Sequence, residues 1–242
     1  MKDFFCFTCV LLLSFVTDSC KNNPLPSPGN WETGTSINLF TNYTLEKISA
    51  FKSVGGKYLE LGSGNFKRNP DEEREEWSQR IIEKVKQAEK AGLKIWSVHL
   101  PFKGIYDISQ TDIKARENAV RGLTEVINLG KYFKPEKYVV HGSSDILNEN
   151  ERGQRIENCI ASLKVLNEEV KKQGAQLAVE CLSRTCLGNN SEELLYIVNS
   201  VGNGIGICFD SNHLMHEKPE EFVEKAGGLI CKIGRASCRE RV

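Results

Sequence analysis

Five polar residues that can bind metal ions or transfer protons follow short apolar segments of this 242-residue chain. They are His99 in SVHLPF, His141 in VVHGSS, Glu180 in LAVECL, and Asp210 and His213 in CFDSNH. Burying a carboxylate beside apolar segments is costly unless it has a partner, and a divalent cation is an economical one. Histidine nitrogen and carboxylate oxygen are suitable ligands for Mn, Zn, Co or Mg. The pattern therefore predicts a divalent-metal site, with a hydrogen-bonded structural role as the alternative for each histidine taken alone.

The segments that carry these residues alternate between strand-like and helix-like patterns. Predicted strands are residues 36–40, 58–61, 95–100, 138–141, 177–180, 205–210 and 229–233. Predicted helices are residues 45–54, 71–92, 111–130, 151–173, 191–200 and 219–226. The strands are apolar along their length, which is typical of a sheet covered on both faces. Alternation at this spacing predicts right-handed βαβ units and a parallel sheet.

Helical periodicity predicts which side chains face the core. The expected buried positions are Ile81, Ile82, Val85 and Ala88 in residues 71–92, and Ile113, Val120, Leu123, Val126 and Ile127 in residues 111–130. Gly92 is expected to end the helix predicted at residues 71–92.

The number of units favours an α/β fold of the (β/α)8 TIM-barrel type, incomplete at the C-terminus because the last strand is missing, over an open doubly wound sheet. No glycine-rich phosphate fingerprint follows the first predicted strand. Barrels of this type form their active site at the carboxyl ends of the strands. Asn38 and Glu60 end the first two predicted strands, so they are candidate substrate-binding residues, with fold support as the alternative.

The order of SVHLPF, VVHGSS, LAVE and GICFDSNH resembles the xylose isomerase-like TIM-barrel superfamily. That superfamily holds sugar phosphate isomerases and epimerases, inosose dehydratases and endonuclease IV. The resemblance covers residues 36–232, and its most specific part is Glu180 followed about thirty residues later by Asp210-x-x-His213.

The resemblance implies a role for each candidate residue. Glu180, Asp210 and His213 are the expected metal ligands, although His213 also matches a position that contacts substrate or a second metal. His99 and His141 match histidines that line the substrate pocket, and that are zinc ligands in the endonuclease branch. In the isomerase branch, a histidine on the next strand and a glutamate on the last complete the set, and both positions lie beyond Lys232.

The same residues suggest a reaction. A metal chelated by neighbouring hydroxyl and carbonyl oxygens of a sugar acidifies the adjacent C–H group and stabilises an enediolate. Glu180 is the expected catalytic base, and a second carboxylate would return the proton. The predicted function is therefore a metal-dependent isomerase or epimerase of a sugar or sugar derivative. Because the second carboxylate and an edge-closing strand lie beyond Lys232, we expect this 242-residue chain to fold poorly and to lack activity.

Two other functions are alternatives: an endonuclease IV-like multi-zinc phosphodiesterase, and a barrel that binds a carbohydrate without turning it over. The chain has 32 Lys+Arg and 32 Asp+Glu, for a formal net charge of zero. Nucleic-acid binding usually needs a basic face, so a nucleic-acid partner is not expected. The expected partner is a small carbohydrate, and an oligomer is possible.

The N-terminus has the pattern of an export signal. Lys2 precedes an apolar segment, residues 4–16, that is too short to span a bilayer. Cys20 follows it and resembles the lipidation site of a bacterial lipoprotein, with cleaved soluble export as the alternative. We expect residues 1–19 to be a signal peptide, 20–34 a tether and 35–232 the barrel domain. The protein would then be periplasmic or lipid-anchored in a bacterium, and would meet an unphosphorylated sugar.

The last ten residues, 233–242, read IGRASCRERV and resemble the translation of a sequencing adapter, with a genuine basic tail as the alternative. We therefore expect the natural protein to continue past Lys232.

Five cysteines lie in the predicted barrel domain, and their number and spacing match neither a disulfide framework nor a zinc ribbon. They are Cys159, Cys181, Cys186, Cys208 and Cys231. Buried free thiols are expected, with a Cys181–Cys186 bridge as the alternative.

Overall fold

A computed structural model describes residues 33–40, 42–69 and 71–234 of the chain. The predicted signal peptide, the lipidation site Cys20, most of the tether and residues 235–242 lie outside the described residues.

The described chain forms one parallel sheet of seven strands arranged in chain order. The strands are β1 (Thr33–Ser36), β2 (Gly56–Leu61), β3 (Lys94–His99), β4 (Lys137–Val140), β5 (Gln176–Glu180), β6 (Gly206–Phe209) and β7 (Ile230–Ile233). Each strand pairs in parallel with the next. The sheet matches a (β/α)8 barrel that lacks its last strand, which confirms the predicted fold class.

Six α-helices connect these strands. They are α1 (Leu45–Ser53), α2 (Arg74–Lys90), α3 (Ile113–Leu129), α4 (Arg152–Lys171), α5 (Ser191–Val201) and α6 (Pro219–Ala226). Side-chain caps define several helix starts, because a polar oxygen satisfies a free backbone N–H of the first turn. Asp112 accepts from the N–H of Ala115 at 2.7 Å, and Asn190 accepts from the N–H of Glu193 at 2.9 Å. Pro219 begins α6, a position where its missing N–H costs nothing.

The helices pack their apolar faces on the outside of the sheet, and three of the predicted core residues are not fully buried. Val120 of α3 is one of them, since it is only partly buried. Ile81, Val85 and Ala88 of α2 are buried as predicted, but Ile82 is only partly buried, so its prediction as a core residue is too strong. Ile113 is 61% exposed and is the first residue of α3, so its prediction as a core residue is wrong.

The first strand also differs from its prediction at residues 36–40. β1 ends at Ser36, and residues Ile37–Leu39 form a 3-10 turn. Ser36 Oγ accepts from the N–H of Asn38 at 3.4 Å, and the N–H of Phe40 donates to the Ile37 carbonyl at 3.1 Å. These local hydrogen bonds replace the sheet pairing that apolar residues alone suggested, so Asn38 lies in the turn after the strand.

The five described cysteines of the barrel domain are all free thiols, as expected. Four of them are buried, and Cys231 is half-buried. Across the described ranges, no helix combines the length and the apolar character needed to cross a membrane.

Candidate functional site

The strand ends place the predicted site residues at one edge of the sheet. His99 and Glu180 are the last residues of β3 and β5, and His141 and Asp210 directly follow β4 and β6. His213 lies in the turn after Asp210, and its N–H donates to the Asp210 carbonyl at 3.1 Å. Because all the strands are parallel, these five side chains meet at the carboxyl end of the barrel.

Glu180 is the centre of this group. Its Oε2 atom lies 2.9 Å from Nε2 of His99 and 3.0 Å from Nε2 of His141. Its Oε1 atom lies 3.3 Å from Nδ1 of His213. The carboxylate is only 4% exposed, so protein groups rather than water compensate its charge.

Asp210 and His213 are held from the same turn. Asp210 Oδ1 accepts from the backbone N–H of Asn212 at 2.9 Å and from its side-chain amide at 3.1 Å. His213 Nδ1 donates to the Cys181 carbonyl at 3.0 Å. Asp210 is 6% exposed, so its carboxylate is buried in the barrel mouth beside Glu180.

The charges of the cluster depend on one another. Burial opposes ionisation of Glu180, but hydrogen bonds from His141, His213 and His99 outweigh it and hold the pKa of this carboxyl well below its usual range. The hydrogen bond to Glu180 raises the pKa of His213 to about 9. Burial opposes protonation of His99, yet Glu180 raises its pKa. Burial dominates at His141 and lowers its pKa.

The cluster contains two overlapping sets of possible metal ligands. His99, His141 and Glu180 form one set, and Glu180, Asp210 and His213 form the other, with ligand atoms in each set within 4.8 Å of one another. Nitrogen and carboxylate oxygen donors of this kind fit zinc, manganese or cobalt. The second set is the one predicted from sequence, and it carries two carboxylates against one imidazole. Its excess negative charge makes it the better match for a divalent cation.

Glu60 and Asn38 line the same cavity, of about 1980 Å³, as the central cluster. Glu60 Oε2 accepts from Ser97 Oγ at 3.0 Å and lies 2.5 Å from Nζ of Lys232. Asn38 is exposed, and its Oδ1 accepts from Nδ2 of Asn65 at 2.9 Å. A side chain at Gly62 would collide with the Asn38 amide, so this glycine permits the approach of the two segments.

Sequence reasoning missed three residues that contact the candidate site residues. Phe102 stacks on His141 with ring centroids 3.9 Å apart and an interplanar angle of 19°. The Cys181 thiol contacts the backbone of Asp210. Lys232 forms the ion pair with Glu60. Phe102 and Cys181 stand inside the motifs SVHLPF and LAVECL, so only their contacts were hidden from the sequence.

Gly234, the last described residue, has no side chain that could bind a metal ion. A Cβ atom there would lie 2.9 Å from Cβ of Asp210 and 3.2 Å from its Oδ2, so this position faces the Asp210 carboxylate. Among the described residues, neither β7 nor Gly234 contains a histidine, so neither places an imidazole next to Asp210.

Solved structures with the same fold include several sugar epimerases. A D-psicose 3-epimerase determined in the presence of D-fructose has a TM-score of 0.70 at 13% identity, over 88% of this chain and 77% of that one. A 3-keto-D-glucoside 4-epimerase from E. coli has a TM-score of 0.66 at 18% identity, over 83% of this chain and 76% of that one. D-psicose 3-epimerase from Clostridium cellulolyticum H10, with D-tagatose, has a TM-score of 0.68 at 16% identity, over 84% and 72%.

Curated protein sequences include no significant match to this chain. The sequence model of a family described as xylose isomerase-like TIM barrel matches residues 48–234, which is most of the chain and all of the site from Glu60 onward. The chain belongs to the xylose isomerase-like TIM barrel family.

Proposed function

We propose that this barrel is built for metal-dependent isomerisation or epimerisation of a sugar or sugar derivative. The observation that carries the proposal is the placement of Glu180, Asp210 and His213, with ligand atoms within 4.8 Å of one another, in the mouth of the barrel. The names of the similar structures, all acting on sugars, support the same class of reaction.

Glu180, Asp210 and His213 would hold the cation. A divalent cation at this place would stabilise negative charge that develops on a sugar oxygen when the neighbouring C–H loses its proton. Glu180 is ionised over the whole physiological range because its pKa is held low, so it can accept that proton. Its low pKa also makes it a weak base, and the histidine hydrogen bonds would have to rearrange for proton transfer to be efficient.

His99 and His141 line the cavity, where their rings would contact the sugar. Nδ1 of His99 donates to the Leu100 carbonyl at 3.1 Å while its Nε2 faces Glu180, so both ring nitrogens face acceptors, and Glu180 raises the pKa of the ring. The stacked Phe102 covers one face of His141 and offers an apolar surface to the cavity. Aromatic and imidazole groups together suit the apolar C–H face and polar edges of a sugar ring.

The substrate is proposed to be unphosphorylated. Of the three lysine and arginine side chains that line the cavity, two are already paired: Lys232 is bonded to Glu60, and Arg184 lies 3.1 Å from Oδ2 of Asp145. The third, Lys103, lies over the Phe102 ring, 5.5 Å from its centroid. These pairs leave less positive charge for a phosphate group. The expected export through the N-terminal segment, with a lipid on Cys20, supports the same choice, because phosphosugars are cytoplasmic metabolites.

The test measures cation binding first and the approach of a sugar to the bound ion second, because neither measurement needs catalytic turnover. Titration with Mn²⁺ should give a site that is lost in Glu180→Gln and Asp210→Asn. Proton relaxation of unphosphorylated ketoses by the Mn²⁺-loaded chain should then show which sugar approaches the ion. Glu136→Gln is the matched control, because Glu136 is an exposed carboxylate bonded to Lys94 and Trp96. Equal Mn²⁺ binding in all variants would refute the proposal.

A second candidate is a phosphodiesterase that uses several zinc ions. The observation in its favour is the other ligand set, His99, His141 and Glu180. Binding of more than one Zn²⁺ per chain, together with hydrolysis of a phosphodiester, would favour this candidate. The equal numbers of basic and acidic residues count against a nucleic-acid substrate.

A further inference from the structure

A buried thiol, that of Cys181, contacts the backbone of Asp210, one of the candidate cation ligands. Cys181 follows Glu180 directly and is fully buried, with none of its surface exposed to solvent. The backbone N–H of Asp210 donates to Cys181 Sγ at 3.1 Å, and the thiol contacts the Asp210 carbonyl oxygen at 3.4 Å. One side chain on the β5 end therefore binds both backbone polar groups of the residue at the β6 end.

The backbone of the same cysteine holds a second site residue. The Cys181 carbonyl accepts from Nδ1 of His213 at 3.0 Å, and its N–H donates to the Cys208 carbonyl of β6 at 3.1 Å. Cys181 thus joins Glu180, its own neighbour, to Asp210 through the thiol and to His213 through the carbonyl.

From these contacts we infer that Cys181 is the positioning residue of the Glu180–Asp210–His213 set, fixing the orientation of Asp210 toward Glu180. The inference rests on the proposed cation site for its functional meaning, but the contacts themselves do not require a cation. Geometry of metal ligands depends on the hydrogen bonds behind them, and loss of such a partner typically weakens metal binding by about 10- to 100-fold.

Another buried cysteine, Cys159, shows that burial alone does not produce such contacts. Cys159 of α4 is just as buried, yet it packs near Gly142 and not against Asp210. Replacing either cysteine by alanine removes the same buried atom, but only Cys181→Ala removes a hydrogen-bond partner of the Asp210 backbone. Cys159→Ala is therefore the matched control for loss of packing.

The first experiment needs no metal. Amide hydrogen exchange of the full 242-residue chain should show that the Asp210 N–H exchanges about tenfold faster in Cys181→Ala than in Cys159→Ala, because one hydrogen bond is lost. Cys181→Ser should give an intermediate rate, because the hydroxyl keeps the donor and acceptor but its shorter bond lengthens both contacts. Where the alanine variant does not fold, the serine variant replaces it, and an exchange rate equal to that of Cys159→Ala would overturn the inference.

The second experiment uses Co²⁺, whose visible absorption reports the arrangement of its ligands. Cys181→Ala should weaken Co²⁺ binding by about tenfold and change the absorption spectrum, whereas Cys159→Ala should match the unsubstituted chain. Unchanged affinity and spectrum in Cys181→Ala would overturn the inference. If no variant and not even the unsubstituted chain binds Co²⁺, the proposed function fails, and the exchange rate at Asp210 alone decides the role of Cys181.

Discussion

Oε2 of Glu180 lies 2.9 Å from Nε2 of His99, which joins the ends of β5 and β3 across the barrel mouth. The same oxygen lies 3.0 Å from Nε2 of His141 at the end of β4. One buried carboxylate thus ties three strands together, and its charge is compensated by hydrogen bonds from the imidazole groups. The site residues therefore contribute to stability as well as to function.

Replacing Glu180 should destabilise the chain strongly. In Glu180→Gln the histidines lose their common anionic partner, and breaking a buried ion pair costs about 3–5 kcal/mol. Urea unfolding near neutral pH measures this loss directly. Glu136→Gln is the control, because the Glu136 side chain is 52% exposed and its pair with Lys94 is worth at most about 1 kcal/mol. Similar losses for the two variants would contradict the stabilising role of the Glu180 cluster.

The pKa of His213 predicts how stability changes with pH. An unfolded histidine titrates near 6.5, whereas the bond to Glu180 raises the pKa of His213 to about 9 in the folded chain. Between these values the folded chain holds a proton that the unfolded chain has released, so the free energy of unfolding falls as pH rises. The contribution is complete below pH 6.5 and is lost above about pH 9.

Thermal unfolding of the metal-free chain at several pH values between 6 and 10 checks this prediction. His213→Asn should remove part of the decline in melting temperature over that window. His216→Asn is the matched control, because the exposed His216 contacts the Arg184 carbonyl and not a carboxylate. A decline that is as steep in His213→Asn as in the unsubstituted chain would refute the assignment.

Much of this site follows from strand ends that the sequence marks clearly. His99, His141, Glu180 and Asp210 each stand where an apolar segment of about five residues stops, and a parallel barrel brings such positions together. The helices were similarly predictable, and α6 begins and ends at the predicted residues. Periodicity and strand termini are local features, so one sequence is enough to locate them.

Contacts between distant segments were not predictable in the same way. The sequence contains no sign that Lys232 reaches Glu60, which is 172 positions away along the chain. In the sequence, Cys181 cannot be distinguished from any other buried cysteine, because its contact with Asp210 depends on how β5 and β6 lie side by side. The end of β1 was misplaced because the cap of the turn by Ser36 competes with sheet pairing, and apolar patterning does not register such hydrogen bonds.

The pair formed by Lys232 and Glu60 should show strong coupling. The side chains are 8% and 20% exposed, and they join β7 to β2 inside the barrel. Lys232→Met leaves the Glu60 carboxylate without its cation, with an expected loss of about 3 kcal/mol. Adding Glu60→Gln should recover at least half of that loss, because the amide oxygen still accepts from Ser97 and no uncompensated charge remains.

Urea unfolding of the two single variants and the double variant measures this coupling. Lys94→Met with Glu136→Gln gives a control cycle on an exposed pair, where the coupling should not exceed about 1 kcal/mol. Additive losses for Lys232→Met and Glu60→Gln would show that the two side chains do not stabilise each other.

The stacking of Phe102 on His141 predicts the direction of a pKa change. Burial lowers the pKa of His141, and the ring of Phe102 covers one imidazole face at a centroid distance of 3.9 Å. Phe102→Ala should admit water to that face, so the pKa of His141 should rise toward the ordinary histidine value. Phe102→Leu keeps an apolar side chain over the imidazole, so the pKa of His141 should rise less than in Phe102→Ala. NMR titration of the histidine ring protons measures the pKa in each variant, and a fall or no change in Phe102→Ala would show that other neighbours exclude water from His141.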